Sequence, residues 1–266
     1  MRCHYLSDLH LESQDAGVKL PKGDVLIIAG DLCHARCLDP GRTDKYSNDQ
    51  RGRVMRFIDQ AKANFSHVLM VAGNHEHYDG VFEDTAAQLK RHLPGLTVLD
   101  NESTIIGGVR FLGTTLWSDF EGRCPVTMNG VRRRMGEYFF VKTRAPGSET
   151  LMKFQPEDAL AAHDAAIRWL TEQAVSRERT VIISHHAPSL GGLNPKFTGN
   201  GLDGAYASGL DQFIRALENV PVWIHGHTHV CRTYHIGGTK ISANCRGFEG
   251  KDNSARLFSP AAHFDV

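Results

Sequence analysis

The chain has 266 residues, 41% of them hydrophobic and 23% charged, an ordinary globular composition long enough for a large core. Its formal net charge is +0, so no global field draws it to nucleic acid or to an acidic membrane. No stretch approaches the roughly 18 apolar residues of a membrane span, and Met1-Arg2-Cys3-His4 runs straight into a strand pattern without a secretory leader, so the expectation is a cytoplasmic protein with no membrane contact.

The first half reads as alternating strands and helices. Residues 25–29 form a nearly continuous apolar run, the mark of a strand buried on both faces. Val54, Phe57, Ile58, Ala61 and Phe65 then share a helical face, and 68–72 is the next buried strand. Residues 81–92 read as helical, ended by Pro94-Gly95. Short strands follow at 96–99, 103–106 and 109–113, with Gly107-Gly108 as a hairpin turn. Residues 117–155 show no clear period. Pro156 opens a strong helix, as Pro at a first helical position does, and 181–183 is a buried strand. Residues 190–207 read as a Gly- and Asn-rich loop. Ser208 is placed to cap a helix reaching about 217, and a strand at 222–224 ends in His225. The tail from 231 reads as short strands around a Gly237-Gly238 hairpin.

Five short polar motifs punctuate this pattern: Asp8-Leu9-His10, Gly30-Asp31, Gly73-Asn74-His75-Glu76, Ser184-His185-His186 and Gly226-His227-Thr228-His229. Each follows an apolar run that reads as a strand, and functional groups of layered α/β folds collect at the carboxyl ends of strands. Each supplies Asp, Asn or His, the oxygen and imidazole donors that suit divalent transition metals. Asp8 and His10 lie two apart on a segment that reads as extended, so both side chains are expected on one face, as are those of His227 and His229. Singly, these motifs read as turns and strand ends. In series they describe two metal ions held side by side, an arrangement suited to attack at phosphorus. Motifs from both halves must converge, so residues 1–266 are expected to form one domain. The six cysteines show no paired framework, and Cys33 and Cys37 lack the second pair of a zinc knuckle, so reduced thiols are expected.

The series resembles the calcineurin-like metallophosphoesterase superfamily over nearly the whole chain, from Asp8 to His229. More narrowly, Gly113-Thr114-Thr115-Leu116-Trp117, His185-His186-Ala187-Pro188-Ser189 and His225-Gly226-His227 resemble a group of bacterial and phage-borne members. The resemblance implies an α/β class fold, a four-layer α/β/β/α sandwich of two mixed sheets flanked by helices, with a dinuclear centre at its rim. By the same resemblance, Asp8, His10 and His229 would hold one metal, Asp31 would bridge both, and Asn74, His185 and His227 would hold the second. His75 would stand over the substrate phosphate as a hydrogen-bond or proton donor, and a hydroxide shared by the metals would attack phosphorus. Manganese is expected, and iron, zinc, cobalt or nickel suit the same donors. One departure stands out. Where that group has Met-Asn-Asp followed by an aromatic residue and Arg, this chain has Met128-Asn129-Gly130-Val131-Arg132, so no role is carried over for the missing carboxylate.

Glu76 and Asp79 are candidates to orient ligand histidines. His77, His186 and His225 adjoin ligands but are expected on the opposite face if the segments are extended. Cys33 and His34 follow Asp31 as pocket-lining candidates, against a plain loop start. Residues 117–155 are a candidate lid or substrate-recognition insertion. Within it Arg132, Arg133 and Arg134, near Tyr138, Phe139 and Phe140, read either as phosphate contacts or as a solvated face over a buried aromatic cluster. Arg246 is another candidate phosphate contact, and 194–197 a candidate wall. Three functions stay open: a small-molecule phosphodiesterase or phosphomonoesterase, a nuclease on DNA or RNA, and a non-catalytic scaffold. The neutral charge counts against the second and the intact ligand types against the third. No sequence feature points to a particular oligomeric state.

Overall fold

A computed structural model of the chain describes residues 1–174, 176–196, 198–252 and 256–266. One sheet contains β1 (Arg2–Leu6), β2 (Gly23–Ala29), β3 (Phe65–Val71), β4 (Thr97–Val98) and β13 (His263–Asp265), in the order β13-β1-β2-β3-β4. The other contains β5 (Glu102–Ile106), β6 (Val109–Thr114), β9 (Thr180–Ser184), β10 (Val222–His225), β11 (Cys231–Ile236) and β12 (Thr239–Asn244), in the order β11-β12-β10-β9-β6-β5. Both sheets are mixed. Strands β1 to β4 run parallel with β13 antiparallel at the edge. In the second sheet β12, β10, β9 and β6 run parallel, with β11 and β5 antiparallel at the edges.

The period-two side-chain alternation of these strands builds the layers. Tyr5, Ile27, Val71, Phe111, Ile183 and Ile224 meet between the sheets. The alternate residues face outward. Leu26, Ile28 and Met70 pack against Phe57, Ile58 and Ala61 of α1 (Lys45–Asn64) and Leu89 of α2 (Thr85–His92). Leu112, Ile182 and Trp223 pack against Ala166 and Leu170 of α5 (Pro156–Ala174) and Ile214 of α7 (Asp211–Arg215). Each fully buried aliphatic side chain here contributes about 1.5–3 kcal/mol. The result is the four-layer α/β/β/α sandwich.

Several local expectations shift. Phe65 opens β3 instead of closing α1, whose N-terminus is capped by Asp44 accepting from the Ser47 N–H at 2.9 Å. Helix α7 is shorter than expected and is not capped by Ser208, whose hydroxyl accepts from the Asp119 backbone instead. Residues 117–155 fold over the rim as α3 (Pro125–Arg132), α4 (Glu137–Phe140) and the hairpin β7 (Lys142–Arg144) to β8 (Leu151–Lys153). Their period is hard to read because Phe120–Arg123 is a single left-handed turn, with φ between 51° and 70°. Trp117, Phe120, Val131, Tyr138 and Phe154 nevertheless form a small core, to which Ala205 of α6 (Asp203–Tyr206) adds. No helix among the described residues is long and apolar enough to cross a membrane.

Candidate metal centre

The five motifs follow the carboxyl ends of β1, β2, β3, β9 and β10, and the packing of the two sheets brings those ends together. Asp8, His10, Asp31 and His229 place four ligand atoms within 4.8 Å of one another, and Asp31, His185 and His227 do the same. Asp31 belongs to both groups. Asn74 joins the second, with its Oδ1 3.1 Å from His185 Nε2. His10 Nε2 faces His229 Nε2 at 3.0 Å, and His185 Nε2 faces His227 Nδ1 at 3.2 Å. In each facing pair only one nitrogen can donate a proton to the other. A cation between them would satisfy both lone pairs, with Asp8 and Asp31 beside the first pair and Asp31 beside the second to offset its charge. The donors therefore fit two divalent metals of the transition series.

The expected extended geometry is not what brings them together. Asp8, His10, Asp31, His227 and His229 all have left-handed backbones, with φ from 48° to 66°. Only a few per cent of non-glycine residues adopt such values, with Asp, Asn and His enriched among them. Of the neighbours expected on the opposite face, His77 stacks on Phe82, with ring centroids 4.9 Å apart. His186 packs its ring 4.1 Å from that of His227. Gly30 and Gly73 allow the close approach at the centre: a Cβ at Gly30 would lie 2.3 Å from His185 Nδ1, and one at Gly73 2.3 Å from Asp31 Oδ1.

Two carboxylates hold the histidine rings. Glu12 Oε1 accepts from His10 Nδ1 and from His75 Nδ1, both at 2.9 Å, fixing both rings with Nε2 as the remaining nitrogen. Asp252 Oδ2 lies 2.7 Å from His229 Nδ1. Glu76 acts on the backbone instead: it accepts N–H bonds from Asp31, Leu32, Cys33 and Gly73 at 2.6–3.0 Å. His185 Nδ1 uses the Ala29 carbonyl, 2.8 Å away. Glu12, Asp252 and the ring of Phe248, stacked 4.1 Å from His10, were not anticipated. Glu12 stands two residues after the His10 donor, the one local sign of it, whereas nothing in the Gly-rich tail marks Asp252 or Phe248.

The electrostatics follow from this packing. Burial opposes ionisation of Asp31, yet His185, His75 and His10 around it hold its carboxyl well below the usual range. Burial likewise opposes the Glu12 carboxylate, and its bonds to His10 and His75 bring it down to about 2. Burial would lower His75, but Asp31 and Glu12 outweigh it and hold the ring at about 9. Burial and the Asp31 charge push Glu76 up. Its four N–H donors each need an acceptor lone pair, and that requirement holds it anionic.

The clusters open onto a cavity of about 490 Å³ walled by Tyr78, Arg134, Glu137, Asn194, Tyr206 and Lys251, among others. Of the three consecutive arginines, Arg134 reaches this wall. Arg132 instead bonds Gln155 and Glu157, and Arg133 is exposed away from the cavity lining. Arg246 is buried, donates to the Asp15 carbonyl at 2.6 Å and does not line the cavity. Cys33 sits in the core, and His34 lies behind His75 with ring centroids 6.1 Å apart. Asn194 lines the cavity, while Phe197 lies outside the described residues.

Residues 1–231 match the calcineurin-like phosphoesterase family, and the chain belongs to it. It is a phosphoesterase of a metal-dependent family, as the motifs imply. The uncharacterized protein L509 of Acanthamoeba polyphaga mimivirus is 24% identical, over 98% of this chain and 95% of that one. The crystal structure of a phosphopantetheinyl hydrolase from Mycobacterium tuberculosis shares the fold, with a TM-score of 0.63 and 18% identity over 99% of this chain and 95% of that one.

Proposed function

We propose that the chain is a dinuclear phosphoesterase acting on a small phosphate monoester or diester. The observation that carries this is the sharing of Asp31 by two ligand groups at the floor of one cavity. In this reading Asp8, His10 and His229 hold one cation, Asn74, His185 and His227 the other, and Asp31 bridges them. Bound there, two divalent cations supply Lewis-acid neutralisation of phosphoryl charge and activation of water. Asp31 suits the bridge because its two carboxylate oxygens face different histidines, Oδ1 lying 3.4 Å from His185 Nε2 and Oδ2 4.0 Å from His10 Nε2.

His75 is the proton donor. Its backbone N–H is held by Asp31 Oδ1 at 2.9 Å, and its ring stacks on Tyr78 with centroids 4.4 Å apart. With Nδ1 committed to Glu12, Nε2 is left to donate to a phosphoryl oxygen or to the leaving alkoxide. In the metal-free chain Asp31 and Glu12 raise the pKa of this ring to about 9, and the Glu12 bond at Nδ1 favours the protonated ring in the same direction. Residues 117–155 act as one wall of the pocket through Arg134 and Glu137, within a single working unit of 1–266. Arg134, tied to the carbonyls of Gly130, Asn200 and Gly201, is the cation aimed at an anionic substrate in place of Arg132, Arg133 or Arg246. A pocket of about 490 Å³ is of the size that small-molecule sites occupy, which favours a small substrate over a nucleic-acid strand.

The test compares Mn-supported hydrolysis of bis-p-nitrophenyl phosphate and p-nitrophenyl phosphate, with Asp31→Asn as control. Zinc, iron, cobalt and nickel, single-stranded DNA and phosphopantetheinyl esters extend the panel, the last because the structural neighbour bears that name. Turnover lost in the variant supports the reading. Equal turnover by Asp31→Asn, or a protein that binds no cation, sinks it.

A further inference from the structure

The cavity wall contains a carboxylate that the reaction above does not use. Glu137, at the start of α4, is 1% exposed. A buried carboxylate is costly unless its hydrogen bonds repay the lost water. The side-chain bond it makes is with Tyr78, whose hydroxyl donates to Glu137 Oε2 at 3.2 Å. The same hydroxyl accepts from Asn74 Nδ2, also at 3.2 Å. Across the amide, Asn74 Oδ1 faces His185 Nε2 at 3.1 Å. A chain of three side chains therefore runs from the rim segment to the second ligand group.

The polarity of this chain is set at its outer end. A phenol has one proton and two acceptor lone pairs, whereas an ionised carboxylate only accepts. While the Tyr78 hydroxyl donates to Glu137, it can only accept from Asn74, so the amide must turn its NH2 outward and its oxygen inward. Without Glu137 the hydroxyl is free to donate to the amide oxygen. Asn74 could then turn over and present NH2, which has no lone pair for a metal.

We infer that Glu137 and Tyr78 are positioning residues that lock the Asn74 amide with Oδ1 toward the second cation. The segment 117–155 thereby completes the metal centre as well as walling the pocket. The inference rests on the dinuclear reading.

The experiment is a calorimetric titration of the metal-stripped full chain with Mn2+, for wild type, Tyr78→Phe, Glu137→Ala and Glu137→Gln, each checked for folding by circular dichroism. Tyr78→Phe keeps the ring against His75 and removes only the hydroxyl. It should weaken one of two sites by about 10- to 100-fold, the usual effect of losing a partner that orients a ligand, and leave the other unchanged. Glu137→Ala should weaken the same site. Glu137→Gln, whose amide oxygen still accepts the Tyr78 proton, should restore it. The inference is overturned if Tyr78→Phe titrates as wild type, if both sites weaken equally, or if Glu137→Gln behaves as Glu137→Ala. Wild-type protein that takes up fewer than two cations overturns the dinuclear reading along with it.

Discussion

Glu76→Gln is the substitution whose cost the structure defines most sharply. Glu76 Oε1 accepts from the Leu32 and Cys33 N–H groups at 2.7 and 3.0 Å, and Oε2 from Asp31 and Gly73 at 2.9 and 2.6 Å. Glutamine has nearly the same shape but keeps only one oxygen. Its NH2 must therefore face two backbone N–H groups in a site that is 1% exposed. Two bonds to a charged acceptor are lost, each contributing about 1.5–3 kcal/mol, so the expected cost is about 3–6 kcal/mol. Against a total stability of about 5–15 kcal/mol, that is a large fraction. The assay is urea denaturation of the metal-free protein, because bound cations would add their own stabilisation. A loss of about 1 kcal/mol or less would refute the reasoning. It would mean that burial and Asp31 had already protonated Glu76, so that the wild-type side chain itself presents a donor.

Three further outcomes follow from the same geometry. Glu12→Ala frees the Nδ1 atoms of His10 and His75 together, and should weaken metal binding or activity by about 10- to 100-fold, with Glu12→Gln milder because its amide oxygen can accept both bonds; wild-type affinity in a Mn2+ titration of Glu12→Ala would count against it. Gly30→Ala, at φ +88° with its Cβ 2.3 Å from His185 Nδ1, should cost about 2–4 kcal/mol from overpacking and strain; an unchanged denaturation midpoint would be the contrary result. His163 is buried, its pKa lowered by burial despite a 3.0 Å bond between Nδ1 and the Leu116 carbonyl. Because the unfolded chain binds that proton more readily, its contribution to stability is complete above about pH 6.5 and falls away below it; His163→Gln should flatten that part of a stability–pH curve, and an identical slope would argue otherwise.

The fold was largely legible because most of its strands are buried on both faces. Runs such as Val25 to Ala29 and Val181 to Ile183 are apolar without interruption, and the polar motifs that end them mark where each strand stops. The candidate donors were legible for a related reason: motifs that singly read as turns recur after five apolar runs, each supplying Asp, Asn or His. Backbone geometry was hidden. Nothing in Asp8-Leu9-His10 distinguishes an extended pair from the two left-handed residues the structure contains, since Leu9 is buried in either case. The partners of the donors were hidden where they come from distant segments, as Asp252 and Phe248 do. The rim segment was hidden because its small core, from Trp117 to Phe154, is assembled around a left-handed turn that follows no helical or strand period.

Those left-handed residues bear on why Glu76 is so heavily bonded. A non-glycine residue in this conformation costs about 1–2 kcal/mol, and Asp8, His10, Asp31, His227 and His229 all adopt it within one site. Such strain persists only where surrounding structure over-determines it. Here the support is specific: the Asp8 N–H donates to the Gly30 carbonyl, the His10 N–H to that of Asp31, and the His227 N–H to Asp8 Oδ1, all at 3.0 Å. Glu76 then fixes the Asp31 loop to the Gly73 loop. Four strand ends from two sheets are thereby fastened to one another before any cation arrives. A centre built this way spends little further ordering on metal binding, because its donors are held in place by backbone contacts and not by the metal alone.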